Sequence, residues 1–330
     1  MERVGLTDFE KRLLMYLQYE FPYSAPDPYA RAAQNLGIDV EELVAKLREL
    51  REKGVLKRIG FYLNPRSRRR VVSLIAFKGG DPEAMRRLCV EDAEVTHCYE
   101  RVGGGEWRLW VVRRANTMEG LLVWASKAAR TIGADSFEIL EAVRLHRLSV
   151  KYDLYRGVSR AGPYTRVVLN PPTPEELGID PRLPQMLRSL PLEPDPYAAI
   201  GSKLGYTREE VARLATLLLD RGVLGDPGAV LDGHRIGFVY NGMIVAWPRG
   251  QLSRLCDAIV EMVPEATHIV ERRVYPRDTR STWAPSCYAM VHATSRELLE
   301  EVYGRVSSLE QVDHAAMLVS VRDLKPGAER

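Results

Sequence analysis

The chain spells out one plan twice. "PDPYARAAQNLG", beginning at Pro26, returns as "PDPYAAIGSKLG" at Pro194, and "REKGVL" returns as "LDRGVL", both displaced by 168 residues. Thr96, His97, Glu100 and Arg101 of "VTHCYER" return as Thr267, His268, Glu271 and Arg272 of "ATHIVER", displaced by 171 residues. So steady a displacement across 330 residues means two homologous halves with a short insertion between the repeated blocks, and it restricts the fold to two copies of one architecture. The Pro- and Gly-rich stretch "RAGPYTRVVLNPPTPEELG" reads as the joint between them.

In the first half, Phe9, Leu13, Leu14 and Leu17 of "DFEKRLLMYLQYE" recur at helical spacing. "DPYARAAQNLG" is a short helix stopped by Gly37, and Asp39 is placed to cap "VEELVAKLRELREKG". Three helices with short turns make a helix-turn-helix module. Then "RRVVSLIAFKG" reads as a strand, "DPEAMRRLCVED" as a helix, "EVTHCYERVG" and "EWRLWVVRRA" as a strand pair joined by a turn at Gly103–Gly105, "MEGLLVWASKAARTIG" as a helix and "SFEILEAVRLHRLSV" as a strand. That order is βαββαβ, the ferredoxin-like arrangement, and the second half repeats it. The expected fold class is α+β, a tandem duplication of a helix-turn-helix module followed by a ferredoxin-like domain. Expected domains are 1–62 and 63–166 in the first half and 167–232 and 233–330 in the second. The halves should cover each other's open sheet as a pseudo-symmetric internal dimer.

Apolar residues at 45% and charged residues at 28% are ordinary globular usage, which excludes a disordered chain. No apolar run is long enough to span a membrane and no signal peptide is visible, so the cytoplasm is the expected location. The net charge of +3 is far from that of a dedicated nucleic-acid binder, although "RSRRR" (Arg66–Arg70) and "ERRVYPRDTRSTW" are locally basic. Cys89, Cys98, Cys256 and Cys287 have no metal-ligand or disulfide spacing and read as buried thiols, and no metal site is expected in the protein itself.

Alternate strand residues share a face, so Val95, His97, Tyr99 and Arg101 lie together, as do Ala266, His268, Val270 and Arg272. Histidine and arginine are then about 13 Å apart at ~3.3 Å of rise per residue, a span suited to a broad anionic ligand. His292 follows on the neighbouring strand, on the face of Tyr288 and Met290. His146, His234 and His314 have no repeated context and read as structural. Nothing forms a nucleophile elbow, a phosphate loop or a metalloprotease motif.

The helix-turn-helix followed by βαββαβ resembles the Lrp/AsnC regulators, and the details resemble one branch of them, the siroheme decarboxylases. "LQYEFPYSAPDPYARAAQNLG", "GVLKRIGFYLN", "VTHCYER" and "GFVYNGMIVAW" carry the resemblance, which spans nearly the whole chain. "WAPSCYAMVH" keeps the branch's tryptophan-to-histidine spacing from Trp283 to His292, with Ala284-Pro285-Ser286 where the family has Pro-Tyr-Asn. Val270 stands where the first half has Tyr99, Asp226 falls opposite Arg58, and "GGGEWRLWVVRRA" has no counterpart of His292. These enzymes are usually two homologous subunits, and a fusion of the pair accounts for the duplication.

The resemblance implies conversion of siroheme to 12,18-didecarboxysiroheme by loss of two acetate carboxylates, in an alternative route to heme or heme d1. It implies no added cofactor, an iron tetrapyrrole as substrate or product, and downstream heme-pathway enzymes as partners. His268 or His292 is the expected proton donor, and His97 a ligand or second acid; the substrate iron is ligated by His97 or His268. Arg101, Arg272, Arg58 and Lys57 are expected on the remaining carboxylates. Tyr99, Trp107, Trp247 and Trp283 are expected around the reacting one. The rival readings are a DNA-binding regulator and a heme-binding sensor. The regulator is opposed by Asp39, Glu41, Glu42, Glu209 and Glu210, which would face phosphates.

Overall fold

The computed structural model describes residues 3–164, 167–277, 280–283 and 285–326. Thr165 and Arg166 of the joint, Asp278 and Thr279 of the basic stretch and Ala284 of "WAPS" lie outside the described residues. Contacts group the chain into two units, and this grouping cuts across the duplication. One unit holds both helix-turn-helix modules, with residues up to Arg68, Leu148–Val239 and His292–Ser295. The other holds both βαββαβ modules, with Arg69–Arg147, Tyr240–Val291 and residues from Arg296 onward.

The helical unit contains α1 (Asp8–Tyr19), α2 (Pro28–Leu36), α3 (Val40–Glu52) and β1 (Leu56–Leu63). Their repeats are α6 (Arg182–Leu187), α7 (Pro196–Leu204), α8 (Arg208–Asp220) and β8 (Leu224–Leu231). The repeated "DPY…LG" is a complete helix specification. Pro28 and Pro196 occupy the first turn, Tyr29 and Tyr197 are fully buried, and Gly37 and Gly205 end the helices in the left-handed conformation. Asp39 stands at the N-cap of α3 without the expected side-chain bond. Thr207 and Glu210 form a capping box on α8, so that glutamate, read from the sequence as repelling phosphates, has a local structural role.

The two modules join through β1 and β8, which pair antiparallel with Gly60 opposite Gly228. Both glycines have positive φ, and a Cβ at either would lie 2.4 Å from a carbonyl of the other half's helix, Leu187 for Gly60 and Leu17 for Gly228. Only glycine allows that approach. Residues from Leu148 toward the joint, read from the sequence as the tail of the first α+β domain, group with this unit. Gln18 holds the backbone of Tyr152 through both its amide atoms, at 2.8 and 3.1 Å. Tyr152 begins a small hairpin of β6 (Tyr152–Asp153) and β7 (Val158–Ser159).

The sheet unit contains β2 (Val71–Gly79), α4 (Pro82–Glu91), β3 (Val95–Val102), β4 (Trp107–Ala115), α5 (Met118–Ile132) and β5 (Ala134–Leu148). The second copy supplies β9 (Tyr240–Pro248), α9 (Leu252–Met262), β10 (His268–Tyr275), β11 (Ser286–Ala293), α10 (Arg296–Ser307) and β12 (Val312–Asp323). The strand order β10-β5-β2-β4-β3-β12-β9-β11 closes on itself, because β11 also pairs with β10. Each copy keeps its own order, β5-β2-β4-β3 and β12-β9-β11-β10. The two seams join the last strand of one copy to the histidine strand of the other. Closure pairs each of these eight strands on both sides.

Alternation sorts the side chains. Ile75, Phe77, Leu109, Val111 and Ile139 face out beneath α4 and α5. Leu74, Ala76, Trp110, Leu140, Met243, Val245, Val274, Trp283, Tyr288 and Leu318 face in. Among the described residues, no helix is long and apolar enough to cross a membrane.

Candidate active site

The two motif strands stand opposite each other in the ring, four strands apart by either path. From β3 through β12 and β9, and from β11 to β10, successive strands are antiparallel. With β11 set against β9 as β4 is against β2, β3 and β10 run the same way. His97 and His268, each early in its strand, therefore face inward from opposite walls toward the same end, with Arg101 and Arg272 farther along. His97 pairs with Val112, Tyr99 with Trp110, His268 with Met290 and Val270 with Tyr288, which puts all of these on the inward face.

Every letter of the repeated motif has a matched role. Thr96 Oγ1 donates to the Val112 carbonyl at 3.3 Å and lies 3.0 Å from His97 Nδ1. Thr267 Oγ1 donates to the Met290 carbonyl at 3.2 Å and lies 3.2 Å from His268 Nδ1. Each hydroxyl thus bridges a strand carbonyl and the neighbouring imidazole, which fixes the orientation of the ring and leaves Nε2 on the side away from the threonine.

The glutamates face outward and meet basic side chains. Glu100 pairs with Arg108 and with Arg322 of the other copy's β12, at 3.4 Å for Arg322, while Glu271 meets His146 of the other copy's β5 at 2.6 Å. The arginines cross the same seams. Arg101 donates to the Leu318 carbonyl at 3.1 Å and to Asn241 Oδ1 at 3.3 Å, and Arg272 to the Leu140 carbonyl at 2.7 Å. Each guanidinium also lies over an aromatic ring, Arg101 over Tyr99 at 5.0 Å and Arg272 over Tyr288 at 5.5 Å.

An aromatic cluster fills the inward face. Trp283 is buried, with its ring centroid 5.1 Å from Trp110, 5.9 Å from Trp247 and 6.3 Å from Trp107. Its indole N–H has no partner among the described residues. Trp247 stacks on His314 at 4.4 Å. Tyr288 donates to the Trp283 carbonyl at 2.9 Å, and burial pushes its phenol well above the ordinary range, so it stays protonated.

The structure thus gathers His97, His268, Arg101, Arg272, Tyr99, Trp107, Trp247 and Trp283 on one inward surface. Other expected residues lie elsewhere. Arg58 donates to the Phe61 and Arg188 carbonyls at 3.0 and 2.7 Å, and Lys57 pairs with Asp232 at 3.1 Å, both in the helical unit. His292, near the end of β11, groups with the helical unit, as do its partners. Its backbone N–H donates to Ser159 Oγ at 2.9 Å and its ring lies 5.7 Å from Tyr152. Sequence reasoning missed Thr96 and Thr267 as histidine orienters, although both stood inside the repeated motif, and missed Asn241 and Tyr288. It also took all four cysteines as thiols. Cys89 and Cys98 are buried thiols, and burial together with the neighbouring Cys89 holds Cys98 protonated, but Cys256 and Cys287 form a disulfide. That pair joins a helix to a strand 31 residues away, a separation with no local signature.

The fold and the inward surface define an AsnC-like ligand-binding ring carrying helix-turn-helix modules. Two family models match accordingly, an AsnC-like ligand binding domain over residues 235–325 and a siroheme decarboxylase NirDL-like HTH domain over residues 10–56. The siroheme decarboxylase NirDL subunit of Paracoccus denitrificans is 28% identical over 320 residues, covering 93% of this chain and 91% of that one. The NirH subunit of the Pseudomonas aeruginosa siroheme decarboxylase is 32% identical over 138 residues, 41% of this chain and 78% of its own. The crystal structure of the siroheme decarboxylase NirDL in co-complex with an iron-uroporphyrin III analogue superposes with a TM-score of 0.62 at 22% identity, covering 97% of this chain and 92% of that one. The chain belongs to the siroheme decarboxylase family.

Proposed function

We propose that the chain is a carboxy-lyase that converts siroheme to didecarboxysiroheme, working as a fused pair of subunits. The supporting observation is the pair of threonine-oriented histidines facing each other across the inward surface, backed by arginines and indoles. The bound iron uroporphyrin analogue in the NirDL relative supports an iron tetrapyrrole as the ligand class. The four expected domains remain our division of the chain.

In each of two turnovers, the bond between an acetate methylene and its carboxylate breaks. Carbon dioxide leaves, the bonding electrons pass into the macrocycle, and the methylene takes a proton to become methyl. An imidazolium gives that proton from Nε2, while the threonine hydroxyl at Nδ1 keeps the ring in place. His268 or His292 has this role in our assignment, and His97 is the iron ligand or second acid. Arg101 and Arg272 hold carboxylates that remain, and the indoles of Trp107, Trp247 and Trp283 with Tyr99 give the reacting carboxylate an apolar setting that favours loss of its charge. No organic cofactor is required. Anaerobic incubation with siroheme followed by mass analysis tests the reading. The expected result is stepwise loss of two carbon dioxides without added pyridoxal phosphate, thiamine or metal. Unchanged siroheme alongside tight, salt-sensitive binding of a specific DNA would overturn it in favour of a regulator.

A further inference from the structure

A second cluster of ligating side chains lies on the outer face of the ring. Glu271 of β10 and Cys287 of β11 are register partners, α9 lays Cys256 and Asp257 over them, and β5 of the other copy brings in His146. The His146 side chain is only 2% exposed, which leaves its polar atoms to these neighbours. Its Nε2 meets Glu271 Oε1 at 2.6 Å and its Nδ1 meets Asp257 Oδ1 at 2.8 Å. One ligand atom each from His146, Cys256 and Glu271 fall within 4.8 Å of one another.

We propose that the Cys256–Cys287 disulfide is the oxidised state of a divalent-metal site in which Cys256, His146 and Glu271 bind a zinc-class ion. A nitrogen, a thiolate and a carboxylate are the donors such an ion takes, at bonds of about 2.0–2.3 Å, and a small inward shift of the three closes a tetrahedral face. The fourth position falls to Cys287 Sγ or to water. Asp257 accepts the Nδ1–H of His146 and so presents the Nε2 lone pair inward, the outer-shell arrangement typical of metal-bound histidine. The ion takes the place of the Nε2–Glu271 hydrogen bond.

The first copy makes the contrast. There Arg322 occupies the seam position of His146, and a guanidinium binds Glu100 but cannot ligate a metal. The second copy has a titratable ligand in the same place and has added Asp257 and Cys287 around it. In the switching step a dithiol reductant gives two electrons and its two thiol protons to the S–S bond and becomes a disulfide, or a phosphine gives two electrons while water supplies the two protons and the oxygen of the phosphine oxide; either way two thiols result. Metal entry then releases the Cys256 thiol proton.

Cobalt(II), added to the full chain without tetrapyrrole, is the probe. Phosphine-reduced protein should bind one equivalent, with tetrahedral ligand-field bands and a thiolate-to-cobalt charge-transfer band, and the oxidised protein should bind none. C287S frees Cys256 without reductant and should bind cobalt as purified. C256S should lose the charge-transfer band, H146A should abolish stoichiometric binding, and D257N should weaken it about 10–100-fold. C89S, in the other thiol pair, should change nothing. Failure of both reduced wild type and folded C287S to bind cobalt overturns the site, as does charge transfer that survives in C256S. Unfolding of the wild type on reduction makes the disulfide a structural staple and overturns the switch. None of these readouts depends on decarboxylation.

Discussion

The two motif strands share a framework and differ in what surrounds it. In both, threonine turns the histidine, glutamate meets a basic side chain on the outer face, and arginine reaches a carbonyl across the seam. Tyr99 of the first strand is replaced by Val270 in the second and Arg322 by His146, and the second copy carries a disulfide while the first has two buried thiols at other positions. Trp283 enters from the segment before β11, a place where the first copy has only the turn at Gly103–Gly105. What stayed the same holds the ring together. What diverged lines the inward surface or flanks it, as expected when two copies no longer do the same work.

The largest effect should come from separating the copies. Each half alone would open both seams of the ring and strip β1 of β8, exposing strand edges and the apolar inward face together. Halves expressed apart should aggregate or stay unfolded by circular dichroism and should recover structure only when mixed. Two separately stable, monomeric and active halves would remove the basis for reading the seams as obligatory.

Next is the division of labour between histidines. His268→Ala or His292→Ala should reduce turnover by about 10²-fold or more with the fold intact, the usual scale for a lost general acid. His97→Ala should instead alter the absorption spectrum of bound iron tetrapyrrole. If His97 proves essential while His268 and His292 are both dispensable, the chemistry belongs to the first copy.

Much of this comparison was legible before any coordinates. The order of elements followed from period and punctuation, the duplication from two displacements, and the shared face of His97 and Arg101 from alternation. Ring closure was not legible, because alternation tells which face of β5 is apolar but not that β10 will pair with its edge. The grouping of like modules with like was hidden for the same reason: β1 and β8 meet through glycines that mark close approach without naming the partner. Arginine was legible as a cation. Its seam role was not, because carbonyls of Leu318 and Leu140 leave no trace in a sequence.

That dual role shapes the third expectation. Arg101→Ala and Arg272→Ala should weaken tetrapyrrole binding by about 1.5–3 kcal/mol for a lost charge-assisted bond. Each should also lower resistance to denaturant, Arg101→Ala more, since Arg101 is 4% exposed and its loss leaves both Leu318 and Asn241 without that donor. Lysine at either position should keep the charge and lose the fork, restoring stability only in part. Binding that weakens with no change in unfolding midpoint would mean that the seam contacts contribute little.

The smallest and most discriminating effect concerns the threonines. Thr96→Val and Thr267→Val keep shape and remove the hydroxyl, leaving Val112 or Met290 with one fewer donor and the imidazole free to turn or to change tautomer. Removing an outer-shell partner of a functional histidine typically costs 10–100-fold. The expected loss at the histidine that performs the chemistry is at the lower end, about 10-fold in turnover, with substrate affinity nearly unchanged. At the histidine that ligates iron, the same substitution should leave turnover within about 3-fold and shift the spectrum of the bound tetrapyrrole, because ligand basicity rather than proton delivery has changed. The pair therefore separates acid from ligand without deleting either histidine. Equal losses from both threonines, with no spectral change, would show that the two copies still share the work.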